Sequence, residues 1–227
     1  MHPILSSTLR YICHGAFLHR RPKKIHSQKV LLIGNGPSLN LDFVRESDLP
    51  KFVCNHFFSS PDARKLNDTK LHHFASDPRL FALSNQSYFD FLNEVKSLTC
   101  YVPTRYYNFA KTKIRHHVYP IFYPSELGRL FNRNSIVLEP KYGYPSFDSV
   151  MFDMMMPFAL YCGVKHIEMT GVDFDYSGQK HFYCERVIES GSRDNEYLNS
   201  TWKSNITYAE NLFSSYAENN NIVIEKK

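Results

Sequence analysis

The chain has 227 residues, 43% of them hydrophobic and 22% charged, which is the profile of an ordinary soluble domain with length enough for a sizeable core. A formal charge of +5 favours an anionic ligand or an anionic membrane surface, but no stripe of Lys and Arg marks a nucleic-acid partner. The cysteines at 13, 54, 100, 162 and 184 lack metal-ligand spacing and fit free thiols in a reducing compartment, and no run of eighteen apolar residues spans a membrane.

Residues 1–28 form a leader. Ile4, Leu5, Leu9, Ile12, Phe17 and Leu18 are followed by the basic run His19-Arg-Arg-Pro-Lys-Lys24, the reverse of signal-peptide order. The segment reads equally as an interfacial helix with a basic patch for anionic lipid, or as a partly ordered leader with a solvated charge run. The remainder, 29–227, reads as one domain.

That domain starts with a buried strand, Lys29–Ile33, running into Gly34-Asn35-Gly36-Pro37-Ser38. The two glycines allow a sharp turn and close approach to a ligand, with Ser38 as N-cap or Pro37 as first helical residue. A strand, a glycine turn and a helix start make either an anion or nucleotide site or a plain structural connection. Leu39 replaces the third glycine of a dinucleotide fingerprint, and no Gly-Lys-Ser/Thr follows to make a P-loop. The Asn35 amide suits a nucleotide held by hydrogen bonds.

A short helix to Glu46 follows, then a strand at Lys51–Cys54 ending on Asn55 and a third at Leu71–Ala75 ending on Ser76-Asp77-Pro78. Ser84–Ser97 has helical spacing with Ser84 as cap, Leu98–Val102 returns as a strand, and Ile114–Tyr123 is a further strand candidate. Ser149–Cys162 is a helix apolar nearly all round, kinked by Pro157 and stopped by Gly163. Val164–Thr170 delivers Gly171-Val-Asp-Phe-Asp175. Residues 176–201 are polar and aperiodic, as a lid would be. Trp202–Glu218 is the last helix and Ile222–Ile224 the last strand. Strands alternating with helices predict an α/β, Rossmann-like, mostly parallel sheet flanked by helices, with ligands outside the carboxyl ends of the strands. The rim positions are then Asn35 to Ser38, Asn55, Asp77 and Asp173 to Tyr183.

Gly34-Asn-Gly-Pro-Ser-Leu39, Cys54-Asn-His-Phe57, Asp77-Pro-Arg-Leu-Phe81 and Leu160-Tyr-Cys-Gly-Val-Lys-His-Ile-Glu-Met-Thr-Gly-Val-Asp-Phe174 resemble, in order, the bacterial lipooligosaccharide sialyltransferases that use CMP-sialic acid. The glycine turn is also similar to that of the motility accessory factor domain. The resemblance covers about Lys29 to Ile224. It implies a single GT-A-type domain with a lid, and inverting, metal-independent transfer from a CMP-activated sugar to a glycan or lipid-linked oligosaccharide. No cofactor beyond that donor is implied, and the work would be done on the cytoplasmic face of the inner membrane. The resemblance places Asn35 and Asn55 on the cytidine monophosphate, with Asp77 where the family has Asn. Ser146 or Ser149 stands at the donor, and Tyr176, with His181 or Tyr183, on the leaving phosphate. Asp173 occupies the family's aspartate position.

The chemistry accounts for these residue types. Loss of CMP leaves an oxocarbenium-like centre and charge on a phosphate oxygen, which neutral phenol donors stabilise without a metal. A base must take the acceptor hydroxyl proton, a task suited to His near neutral pH. The family's lid histidine is replaced here by Asn199-Ser-Thr-Trp-Lys203, so His181 is the candidate base. Two other readings stay open: a metal-dependent GT-A transferase or nucleotide-diphosphate enzyme using Asp173 and Asp175, and a non-catalytic nucleotide-binding relic.

Overall fold

A computed structural model describes residues 24–66, 71–82, 85–121, 147, 149–173 and 202–227. The expected leader and lid, and the cap Ser84, lie outside the described residues, apart from the leader's last few positions.

The strands are β1 (Lys29–Ile33), β2 (Lys51–Cys54), β3 (Leu71–Phe74), β4 (Leu98–Pro103), β5 (His117–Ile121), β6 (His166–Thr170) and β7 (Val223–Lys226). They make one seven-stranded sheet in the order β5-β4-β3-β2-β1-β6-β7. Every pairing is parallel. β1 lies between β2 and β6, with Leu31 opposite Lys51 on one side and Glu168 on the other. The chain builds outward from β1 to β5, then crosses back to lay β6 on β1's free side. That reversal puts the topological switch point between β1 and β6.

Period-two alternation sorts the side chains into two cores. Val30 and Leu32 face a core with Phe52, Phe74, Phe158 and Phe213. Leu31 and Ile33 face another with Val53, Leu71, Phe89 and Leu92. The second core is covered by α1 (Leu41–Glu46), α2 (Pro61–Arg64), α3 (Gln86–Glu94) and α4 (Tyr107–Lys113). The first is covered by a π-helical turn (Met151–Met155) continuing as α5 (Met156–Tyr161), and by α6 (Lys203–Asn219). With helices on both faces, the strands are buried throughout the middle of the sheet. The result is a Rossmann-like α/β fold.

Three local expectations need correction. The helix after the glycine turn begins only at Leu41, and its N-cap is Asn40, whose side chain accepts from Asp42 and Phe43 N–H, not Ser38. The helices α2 and α4 have no counterpart among the expected elements, because they are short and flank 3-10 turns. The kink expected at Pro157 is a widened turn ahead of it, where the Met156 N–H bonds to the Met151 carbonyl. Proline cannot donate and its ring crowds the carbonyl four residues back, here that of Asp153; a π turn moves that carbonyl aside. No helix among the described residues is long and apolar enough to cross a membrane.

Candidate functional site

The β1 and β6 ladders continue past the strand ends into the turns. Gly34 N–H donates to Thr170 O at 2.9 Å and Gly36 N–H to Gly171 O at 2.8 Å. A Cβ on Gly34 would lie 2.2 Å from Gly171 O, and one on Gly36 would lie 2.8 Å from the same backbone oxygen. Gly171 itself has a φ of +64°. Glycine is therefore required for the close approach of two backbones, a reason independent of any ligand. Asp173 Oδ2 accepts from Ser38 N–H at 3.2 Å, and Leu39 N–H donates to Gly36 O at 3.2 Å. The amides of Gly36, Ser38 and Leu39 are thus engaged inside the protein, and a carboxylate lies where a phosphate cradle was one expectation. The turn offers the Asn35 side chain and a shape, not a ring of free amides.

Asn35 leans toward β2. Its Nδ2 donates to Cys54 O at 3.2 Å, which fixes the amide orientation, and its Oδ1 is buried with no hydrogen-bond partner among the described residues. Next along the rim, Asn55 leaves β2 with a left-handed φ of 42°, a conformation Asn tolerates better than most residues. Its Oδ1 accepts from Ser76 N–H at 3.0 Å and Asp77 N–H at 3.4 Å. Its Nδ2 has no partner among the described residues and remains a spare donor.

Asp77 caps the 3-10 turn Pro78–Phe81 by accepting from Arg79 N–H at 2.9 Å, and the Arg79 guanidinium grips the same carboxylate at 2.6 Å. Burial pushes the Asp77 carboxyl up, but these Arg79 contacts together hold it below its ordinary value. The Asp77 charge is therefore met by its own neighbour.

Beneath Asn55 sits a polar cluster that motif reading did not single out. His73 is fully buried, its Nε2 is 2.7 Å from Asn55 O, and its Nδ1 has no hydrogen-bond partner among the described residues. Its ring lies 5.9 Å from that of Tyr88 and 5.8 Å from that of Phe58. Burial, reinforced by His56 and opposed by the Asn55 carbonyl, lowers His73 to about 4, so the ring is neutral. A usable signal was present: His72-His73 interrupts a strand whose residues are otherwise apolar and buried.

A second buried polar group was also missed. Asp153 is 0% exposed within a helix that reads as apolar. Its Oδ1 accepts from Phe147 N–H at 2.5 Å and its Oδ2 from Ser149 N–H at 3.2 Å. The carboxylate thereby pins the segment that enters the helix at the carboxyl-end side of the sheet. Ser149 sits there, but no hydrogen bond joins it to the other rim residues among the described residues.

The structure therefore brings Gly34, Asn35, Gly36, Pro37, Ser38 and Asp173 together at the ends of β1 and β6, with Asn55 and Asp77 continuing the rim over β2 and β3. Ser146, Tyr176, His181, Tyr183 and Asp175 lie outside the described residues. Cys54 adjoins Asn55 in the chain, and burial pushes its thiol up to about 12, which disfavours the thiolate. Among the described residues, the metal-ligating side chains that come close together are His166, Glu168 and Glu225, on the bodies of β6 and β7 rather than at the rim. His166 Nε2 lies 3.8 Å and 3.7 Å from the two carboxylates, and Lys227 Nζ is 2.7 Å from Glu225.

No family model matches the chain, and no curated protein matches it by sequence. Among solved structures, it is similar to the monofunctional alpha-2,3-sialyltransferase Cst-I of Campylobacter jejuni. The match has a TM-score of 0.51 at 16% identity and covers 91% of this chain and 78% of that one. A likeness at that identity is a likeness of fold, and it agrees with the parallel sheet flanked by helices described above.

Proposed function

We propose that the protein is a glycosyltransferase that takes an acidic sugar, sialic acid or a Kdo-like relative, from a CMP-activated donor and passes it to a glycan or lipid-linked oligosaccharide acceptor. The observation that carries this reading is the pair of asparagines on neighbouring strand ends. Asn35 presents a buried acceptor without a partner, and Asn55 presents a spare donor. A ligand with both hydroxyl or amine donors and carbonyl or phosphate acceptors, as in a nucleotide, completes both. A buried polar atom left alone is unfavourable by about 1–3 kcal/mol, so a group that satisfies it gains affinity and specificity together. Asn35 leaves β1, which borders the switch point where a sheet of this topology binds ligands, and the Campylobacter sialyltransferase shares the fold.

On this reading the two asparagines hold the nucleotide by neutral hydrogen bonds, and the turn shapes the rim beside them. Inverting transfer proceeds without a metal, phenol donors at Tyr176 and Tyr183 meet the charge on the departing phosphate, and His181 accepts the acceptor's proton. The basic leader would bring the enzyme to an anionic membrane surface on the cytoplasmic side.

The test is isothermal titration with CMP in EDTA. The expected outcome is binding that survives EDTA and weakens roughly tenfold or more in Asn35→Ala and in Asn55→Gly, the latter chosen because glycine keeps the left-handed backbone. A chain that does not bind CMP, or binding indifferent to both substitutions, overturns the proposal. Binding that requires Mn²⁺ and is lost in Asp175→Ala would establish the metal-dependent reading instead.

A further inference from the structure

We infer that His73, which cannot itself reach a ligand, is a positioning residue that holds Asn55 in the conformation that presents its amide nitrogen to the nucleotide. This rests on the reading of Asn55 as a nucleotide contact and goes beyond it, because the resemblance assigns nothing to the position of His73.

A carbonyl oxygen only accepts, so the 2.7 Å contact between His73 Nε2 and Asn55 O requires the proton on Nε2. The ring has 0% exposure and packs beside Phe58 and Tyr88, with ring centroids 5.8 Å and 5.9 Å away. Neutral His has one N–H, and here it is given to Asn55. The left-handed φ of 42° at Asn55 is unfavourable by an amount comparable to one net hydrogen bond. The contact to the carbonyl adds to those that offset this cost, since that group turns as φ and ψ turn. Should Asn55 relax into the right-handed region, its Oδ1 leaves the N–H groups of Ser76 and Asp77, and its Nδ2 swings off the rim.

Substitutions separate this role from mere packing. His73→Gln keeps an amide donor at the position of Nε2. The shorter His73→Asn reaches only the position of Nδ1. His73→Leu fills the space with no donor. CMP affinity, measured by titration on protein shown to be folded by circular dichroism, is expected to fall roughly tenfold in His73→Leu and His73→Asn and to return to within about threefold of wild type in His73→Gln. In an Asn55→Gly background, His73→Leu is expected to change CMP affinity no further.

Unchanged affinity in His73→Asn, or an equal loss with and without the Asn55 side chain, overturns the inference while leaving the nucleotide site standing. A wild-type chain that ignores CMP overturns both. If His73→Leu does not fold, the comparison of Gln with Asn decides the question, since both are polar and neither overfills the site.

Discussion

A buried histidine that refuses a proton makes folding sensitive to acid, and His73 is such a residue. In the unfolded chain it takes up a proton near its ordinary value of 6.5; in the fold, burial lowers that to about 4. Between these values the unfolded state binds the proton and the native state does not, so stability rises with pH across the window and is lost as pH falls through it. The difference corresponds to about 3 kcal/mol at about 1.4 kcal/mol per unit. Asp77 acts in a different range: its carboxyl is held below 3.8, so its contribution is present above that value and lost only at lower pH. Urea unfolding at pH 4.5 and 7.5 should therefore show His73→Gln losing less stability on acidification than wild type, by most of that amount. Parallel losses in the two proteins would contradict the assignment. At this scale the sequence displayed the asparagines through their setting after strands, but it did not display what holds them. The reason is physical: His73 and Asn55 are 18 positions apart, and only strand pairing places one under the other.

At the scale of elements, the helix that enters β6 joins two features that periodicity could not separate. Its apolar run Met154-Met-Met-Pro-Phe-Ala-Leu160 reads as a buried helix and is one. Asp153, lying within the same apolar stretch, is as buried as its neighbours because its carboxylate turns back onto the N–H groups of Phe147 and Ser149. Asp153→Asn keeps the size but exchanges one acceptor oxygen for a donor, leaving one of these N–H groups facing another donor. A loss of about 1–3 kcal/mol is expected, read as a lower urea midpoint without a change in slope. A neutral outcome would mean that the carboxylate does not organise the helix start. The sequence carried the signal of a lone acid in an apolar stretch, yet the partners lie in an irregular segment whose course no pattern foretells. The π turn is similar: Pro157 announced a disturbance, and its form depended on the packing around it.

Across the whole molecule, protection should follow the order of the sheet. β1 has parallel partners on both sides and helices over both faces, whereas β5 and β7 are the edges among the described residues. Native-state hydrogen exchange is expected to be slowest at the amides of Val30 to Leu32 and markedly faster in β7, where Val223 is 47% exposed. Equal protection in β1 and β7 would show that the sheet opens as one unit and not from its edges. Alternating apolar strands and helices, read in one dimension, determined the fold class, most element positions and the idea that ligands meet strand ends, because burial on both faces leaves an unmistakable run of apolar residues. The tertiary structure alone decided which ends are neighbours. It put β6 beside β1, locked Gly34 and Gly36 against Gly171 and Asp173, and turned a loop that resembled a phosphate cradle into a joint between two strands. Those contacts depend on residues more than 130 positions apart, and nothing short of the packed sheet fixes them.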